Sequence, residues 1–409
     1  MRILHTSDWH LGKSLEGYSR LPEQEQFLDE LVEIVEREKI DLILVAGDIY
    51  DHSNPPAAAE KLFYQSMKRL SKDGQRAVIV IAGNHDNPDR LTAASPLAYE
   101  HGIVLLGTPK SVAHTGKYGG FEIVESGQGY IKLIIGDEKV VAITLPYPSE
   151  KRLNEIISIE ADEEEMQLSY SQRIGQIFSD LSKHFSEDSI NLVLSHLYML
   201  GGEECDSERQ IQLGGSMAVE ASLLPSAQYI ALGHLHRPQT VVGGQNRAFY
   251  SGSPLQYSKS EINYSKCVYK IDIEPGQEPL VQPIYLKNYK PIEVWKCCGI
   301  EEALNRCQEQ AQKDIWVYLE IETDRVLTRD EIKALRDIRK DIVEIRPLLT
   351  IEENKEDEIE NLSELNMIEL FNNFYIKDSG VQPSRELVEM FSQIIGEEGE
   401  ENEAINVED

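Results

Sequence analysis

Apolar residues come along this chain in two rhythms, short unbroken runs and helical repeats, and the two alternate. "RILHT", "DLILVAGD" and "AVIVIAGN" are continuous runs that give out at a glycine or a polar residue. Runs of that length are typical of strands covered on both faces. Between them Phe27, Leu31, Ile34 and Val35 recur at helical spacing behind Pro22, and "NPPAAAEKLFYQSMKRLSK" begins with prolines at a helix start. The pattern predicts alternating strands and helices over the first 110 residues. Further strands are predicted at 140–145, 190–196, 229–234 and 248–254, with a helix near 167–185 and a β-rich stretch from "CVYKIDI" to about 290.

After residue 290 the pattern changes. Residues 291–350 read as helix, strand, helix and strand, a small α/β unit. An acidic linker follows at 351–361, and 362–396 carry two short apolar stripes. Met367, Leu370, Phe371, Phe374 and Tyr375 form one stripe, and Leu387, Phe391, Ile394 and Ile395 the other. Helices this short draw most of their stability from burying such a stripe. The acidic tail 397–409 is expected to be disordered.

At 409 residues the chain is long for a single core, and its apolar content of 41% is that of a soluble globular protein. No apolar run approaches the roughly 18–20 residues that cross a bilayer. The N-terminus goes straight into a strand without a signal-peptide layout, so no membrane and a cytoplasmic location are expected. Five cysteines without CxxC spacing argue for reduced thiols rather than a disulfide framework. The net charge of −31 opposes contact with nucleic acid, but it is unevenly spread: residues 351–409 carry −15 of it. Any affinity for DNA must therefore come from local features.

The candidate chemistry sits where the apolar strands end: Asp8 and His10, Asp48, Asn84 with His85, His196, and His234 with His236. In an α/β sheet the loops after the carboxyl ends of the strands converge on one edge, so these distant residues can share a pocket. In "ALGHLHRP", Gly233 is expected to let the chain turn, and an HxH on extended chain sends both imidazoles to one side. Two aspartates, an asparagine and four histidines make a mixed oxygen and nitrogen set, suited to manganese, iron or zinc rather than magnesium. Seven ligands are too many for one ion with open positions and suit two. Two ions about 3.5–4 Å apart can activate a water and clamp a phosphate in line, which predicts a dinuclear phosphoesterase.

"DWH", "GDIYD", "GNHD", "SHL" and "GHLH", in this order, resemble the calcineurin-like metallophosphoesterases. Within them, "HTSDWHLGK", "GDIYDHSNPP", "AGNHDNPDR", "GHLHRPQ" and "YSGSPLQYS" resemble the SbcD-type nuclease subunits, over nearly the whole chain. The resemblance implies a metallophosphoesterase β-sandwich flanked by helices over 1–290, a small DNA-facing α/β cap domain over 291–350, and C-terminal helices at 362–396. It implies two Mn²⁺ ions: Asp8, His10 and His236 would hold the first, Asp48 would bridge, and Asn84, His196 and His234 would complete the second. His85 would be the catalytic histidine, and His52 would help to place the DNA. The implied activity is exonuclease cleavage of duplex ends and endonuclease cleavage of hairpins or single strands, in DNA repair, recombination and replication. The implied partners are DNA and an SbcC-like ATPase whose coiled coil is gripped through 362–396, with a homodimer inside a heterotetramer.

Plainer readings stand beside these. An aspartate after a strand is often only a turn former, and "DHSNPP" around His52 also reads as a turn before a helix. His5 lies inside a strand and is expected to be a satisfied core histidine; His101, His114 and His184 read as surface residues. Arg329, Lys333, Arg336 and Lys340 fall on one helical face, either a phosphate-contacting surface or a solvated one. The alternative functions are another calcineurin-like enzyme, a cyclic-nucleotide phosphodiesterase or a phosphoprotein phosphatase, and a non-catalytic scaffold for the ATPase.

Overall fold

The computed structural model describes residues 1–157, 169–208 and 217–349, and toward the C-terminus 368, 371–372, 374–376, 381–385, 387–388 and 390–392. The side chains of 154–157 are outside that description. So are the acidic linker, the tail, and Met367, Leu370, Ile394 and Ile395 of the two stripes.

Two sheets face each other. The first has six strands in the order Leu280–Tyr285, Cys267–Asp272, Arg2–Thr6, Leu42–Ala46, Ala77–Ile81 and Ile103–Leu106. The last four run parallel, and an antiparallel pair closes the other edge. The second has eight strands, with Ala248–Tyr250, Tyr229–Gly233, Ile190–His196 and Glu138–Leu145 parallel at its centre. The strand Leu42–Ala46 shows why its sequence is unbroken. Leu42, Leu44 and Ala46 enter the core between the sheets with Ile79, Leu192, Leu194 and Ala231. Ile43 and Val45 belong to the opposite face and pack with Phe27, Leu31, Phe63 and Met67 of the helices Leu21–Arg37 and Ala57–Ser71. Each such side chain contributes about 1.5–3 kcal/mol by its burial. Behind the second sheet, Ile143, Val193 and Leu232 meet Ile174 and Phe178 of the helix Tyr170–Leu181. The layers are helix, sheet, sheet, helix, the flanked β-sandwich expected.

The strands Phe121–Gly127 and Tyr130–Ile135 escaped the sequence reading. "FEIVE" and "YIKLI" alternate polar and apolar residues around a glycine-bounded turn, which is a hairpin signal of half-buried strands rather than of fully buried ones. The run expected at 248–254 is a strand only over Ala248–Tyr250.

The chain divides into two compact units: Met1–Trp295 with Gln312–Tyr318 and Asp341–Glu344, and Lys296–Ala311 with Leu319–Lys340 and the residues from Ile345 on. A three-stranded sheet takes Ile292–Cys298, Trp316–Thr323 and Ile342–Leu349 in that order. The second unit pairs the helices Ile300–Glu309 and Arg329–Ile338. Thr328 and Glu331 cap the latter reciprocally, each side chain accepting from the other's backbone N–H. Farther on, the ring of Phe371 stacks on Phe391 with centroids 3.9 Å apart. None of the five cysteines is in a disulfide. Among the described residues no helix is long and apolar enough to cross a membrane.

Candidate metal centre

The carboxyl ends of five parallel-sheet strands meet along one edge of the sandwich. Asp8 and His10 follow Arg2–Thr6, Asp48 follows Leu42–Ala46, and Asn84 and His85 follow Ala77–Ile81. His196 ends its own strand, and His234 and His236 follow Tyr229–Gly233. Backbone bonds tie the first two loops together: Asp8 N–H donates to Gly47 O and His10 N–H to Asp48 O, both at 3.0 Å. Four of the candidate residues have positive φ: Asp8 (54°), His10 (46°), Asp48 (50°) and His234 (116°). Non-glycine residues in such conformations cost about 1–3 kcal/mol each and gather at functional sites.

Gly233 has a different job from the one expected. It is not among the residues with positive φ, and the turn falls on His234. A Cβ on Gly233 would lie 1.8 Å from Ala46 O and 2.9 Å from His196 Nδ1. The glycine is there because its strand passes tightly against the Ala46 carbonyl of the facing sheet.

The side chains gather into groups whose ligand atoms lie within 4.8 Å of one another: Asp8, His10 and His236; Asp48, His196 and His234; and His10, Asp51 and His85. In the first, His10 Nε2 and His236 Nε2 face each other at 3.0 Å. In the second, His196 Nε2 is 3.5 Å from Asp48 Oδ2 and 2.8 Å from Asn84 Oδ1, which is also 3.2 Å from His234 Nδ1. Asp48 Oδ2 is 3.7 Å from His10 Nε2, so one carboxylate faces both groups. The HxH pair thus enters one site but divides between two groups.

Burial sets the electrostatics. It drives His10, His196, His234 and His236 below the usual imidazole range, His234 to about 3, so the rings are neutral and have a lone pair to offer. Burial, with the charge of Asp48 adding to it, holds the Asp8 carboxyl well above the usual range. Burial opposes the charge of Asp48, yet this carboxyl lies below the usual range, and the His85 N–H donates to its Oδ1 at 2.9 Å. Two carboxylates packed among neutral rings are costly to bury without a compensating charge. His10 Nδ1 is buried without a hydrogen-bond partner, with Asp51 Oδ1 at 3.6 Å. Buried carboxylates, neutral imidazoles and an amide oxygen converging in this way fit divalent cations.

His85 Nδ1 bonds to Asp51 O at 2.7 Å, and its ring lies edge-on to His10. His52 stands apart: its side chain is 74% exposed, with Nε2 3.0 Å from Asp51 Oδ2. Arg329, Lys333 and Arg336 are exposed on the helix Arg329–Ile338, and Lys340 lies beyond the helix end. His5 is the satisfied core residue expected, bonded to Tyr229 Oη and Leu232 O. His101, His114 and His184 lie outside the three groups.

Sequence reasoning missed the supports. Asp51 accepts from Lys13 Nζ at 2.8 Å. Asp86 accepts from the N–H groups of Ile49, Tyr50 and Gly83 and so ties two of the loops together. Ser207, Glu208, Glu261 and Lys266 surround His236. Asp51 and Asp86 at least were visible as the last letters of "GDIYD" and "GNHD".

Residues 1–238 match the family described as calcineurin-like phosphoesterase, and residues 288–379 match the type 5 capsule protein repressor C-terminal domain. The chain is 44% identical over 397 residues to the D subunit of nuclease SbcCD from Bacillus subtilis, covering 96% of this chain and 97% of that one. Among solved structures, a dimetal phosphatase from Danio rerio aligns with 69% of this chain and 98% of its own, at 14% identity and a TM-score of 0.37.

Proposed function

This chain belongs to the calcineurin-like phosphoesterases and, within them, to the SbcD family of nuclease subunits, and from that premise we propose how its site works. It is a metal-dependent phosphodiesterase, a nuclease. The finer reading is a two-Mn²⁺ enzyme that cleaves DNA as an exonuclease on duplex ends and as an endonuclease on hairpins or single strands. The observation that supports it best is Asp48, whose Oδ2 lies 3.7 Å from His10 Nε2 and 3.5 Å from His196 Nε2, between the two ligand groups.

Asp8, His10 and His236 would hold one ion, Asn84, His196 and His234 the other, and Asp48 would face both. Two such ions supply positive charge to a phosphodiester and make a water nucleophilic near neutral pH. The chain supplies the rest. Because the Asp51 carbonyl takes the Nδ1 hydrogen of His85, a proton for the departing 3′ oxygen would come from Nε2 of the doubly protonated ring. His52, exposed beside Asp51, would place the strand. Phosphates would meet the exposed face of Arg329, Lys333 and Arg336, with Lys340 nearby.

We read 1–290 as the nuclease domain, 291–350 as a DNA-facing cap, and 362–396 as the site for the coiled coil of an SbcC-like ATPase, in a heterotetramer built on a homodimer of this chain. The experiment offers hairpin DNA, a cyclic nucleotide and a phosphopeptide side by side to the purified chain with Mn²⁺. Cleavage of hairpin DNA alone is expected; preference for either other substrate overturns the nuclease reading.

A further inference from the structure

We infer that Ser207, Glu261 and Lys266 form a relay of positioning residues that fixes the tautomer of His236 and so leaves its Nε2 lone pair facing the first ligand group. The inference rests on the reading of His236 as a metal ligand.

His236 is 1% exposed and held on three sides. Its N–H donates to Glu208 Oε1, its carbonyl accepts from Lys266 Nζ at 2.9 Å, and its Nδ1 lies 2.6 Å from Ser207 Oγ. The last contact alone does not say which atom carries the proton, because a hydroxyl can donate or accept. The next link decides. Ser207 Oγ is 2.5 Å from Glu261 Oε1, which also accepts from Tyr257 N–H. Glu261 Oε2 is paired with Lys266 Nζ, which can only donate. An ionised carboxylate held by an ammonium group only accepts, so the one serine proton goes to Glu261. Ser207 Oγ must then accept from His236, Nδ1 carries the hydrogen, and the lone pair of the neutral ring is at Nε2. That atom faces His10 Nε2 at 3.0 Å.

His196 needs no such device. Its Nδ1 is 2.8 Å from the Ala46 carbonyl, which can only accept, so its tautomer is fixed directly. At His236 a rotatable hydroxyl takes the place of the carbonyl, and its direction comes from a buried ion pair two atoms away. Glu261 and Lys266 are 0% and 6% exposed, and a buried pair of this kind is weak evidence of a stabilising role. Ordering a ligand ring is a role that matches where it sits. In Glu261→Gln the amide can donate to Ser207, which would then donate to Nδ1 and leave Nε2 protonated and unable to bind a metal.

The test is calorimetric titration of the metal-free full chain with Mn²⁺, comparing Ser207→Ala, Ser207→Thr, Glu261→Gln and His236→Ala. Ser207→Ala and Glu261→Gln should weaken one of two Mn²⁺ sites by about 10–100-fold, the range for lost outer-shell partners, and leave the other within about twofold. Ser207→Thr should restore it, and the metal-free unfolding temperature of Ser207→Ala should fall by only a few degrees, the cost of the lost hydrogen bonds. Wild-type affinity at both sites in Ser207→Ala and Glu261→Gln, with one site lost in His236→Ala, overturns the relay. Both sites intact in His236→Ala overturns the ligand assignment itself. Should Glu261→Gln fail to fold, Ser207→Ala decides.

Discussion

Gly233→Ala puts the tight contact between the two sheets at Ala46 to the test. The added Cβ would lie 1.8 Å from Ala46 O, where real Cβ contacts hardly ever fall under 3.0 Å. Both partners are backbone, so no rotamer change can relieve the contact, and the strands must part by roughly an ångström. Two effects compete. Replacing glycine with alanine where the backbone tolerates it stabilises by about 0.4–1 kcal/mol through the unfolded chain. Forcing an extra carbon into a packed interior costs about 1–3 kcal/mol, and losing the His196 Nδ1 bond to Ala46 O adds about 1 kcal/mol. Overpacking wins, with a net loss of about 1–3 kcal/mol. For a unit of this size that is a fall in Tm of about 2–10 °C. Melting should be followed in EDTA, so that bound metal does not mask the packing term. Gly116→Ala is the control, because its nearest neighbouring atom is 3.9 Å away, and its Tm should stay within about 1 °C. After dialysis into Mn²⁺, Gly233→Ala should also lose metal from the group of Asp48, His196 and His234. A Gly233→Ala protein with the wild-type Tm and full metal content would refute the reasoning.

The other predictions follow from the same site. Asp48→Ala should lose both Mn²⁺ ions on dialysis and Asp8→Ala mainly one; a wild-type metal ratio near one per chain would sink the dinuclear reading. His85→Gln should keep its metals and its affinity for DNA while cleavage falls at least about 10²-fold, and loss of metal instead would make His85 a ligand. Replacing Arg329, Lys333, Arg336 and Lys340 by glutamine should flatten the salt dependence of DNA binding, and an unchanged slope would return that face to solvent. A chain ending at Leu349 should stay folded and keep its metals but no longer co-purify with the ATPase partner; full retention would move that interface elsewhere.

The candidate ligands were legible because each stands at a fixed place in a local pattern, one to four residues past the end of an apolar run. Polar residues there have nowhere to go but the edge where the loops meet, and chain order alone brings Asp8, Asp48, Asn84, His196 and His234 to that edge. Their grouping was not legible. Period-two reasoning puts His234 and His236 on the same side of an extended chain, but His234 has φ 116° and the two rings part into different groups. The local rule fails where the backbone leaves the regular region, and it does so at a strained, candidate-ligand residue, where such failures are expected. Ser207, Glu261 and Lys266 were invisible for another reason. Nothing in "CDSE" or "SEINYSK" marks them out, because their role depends on the direction of a hydrogen-bond chain joining residues 54 positions apart in sequence. A motif records which side chains a site must have, whereas the protonation state that lets them work is set by contacts of this kind. The asymmetry has a measurable consequence: substitutions that keep every motif letter, such as Ser207→Ala, should still separate the two metal sites in affinity.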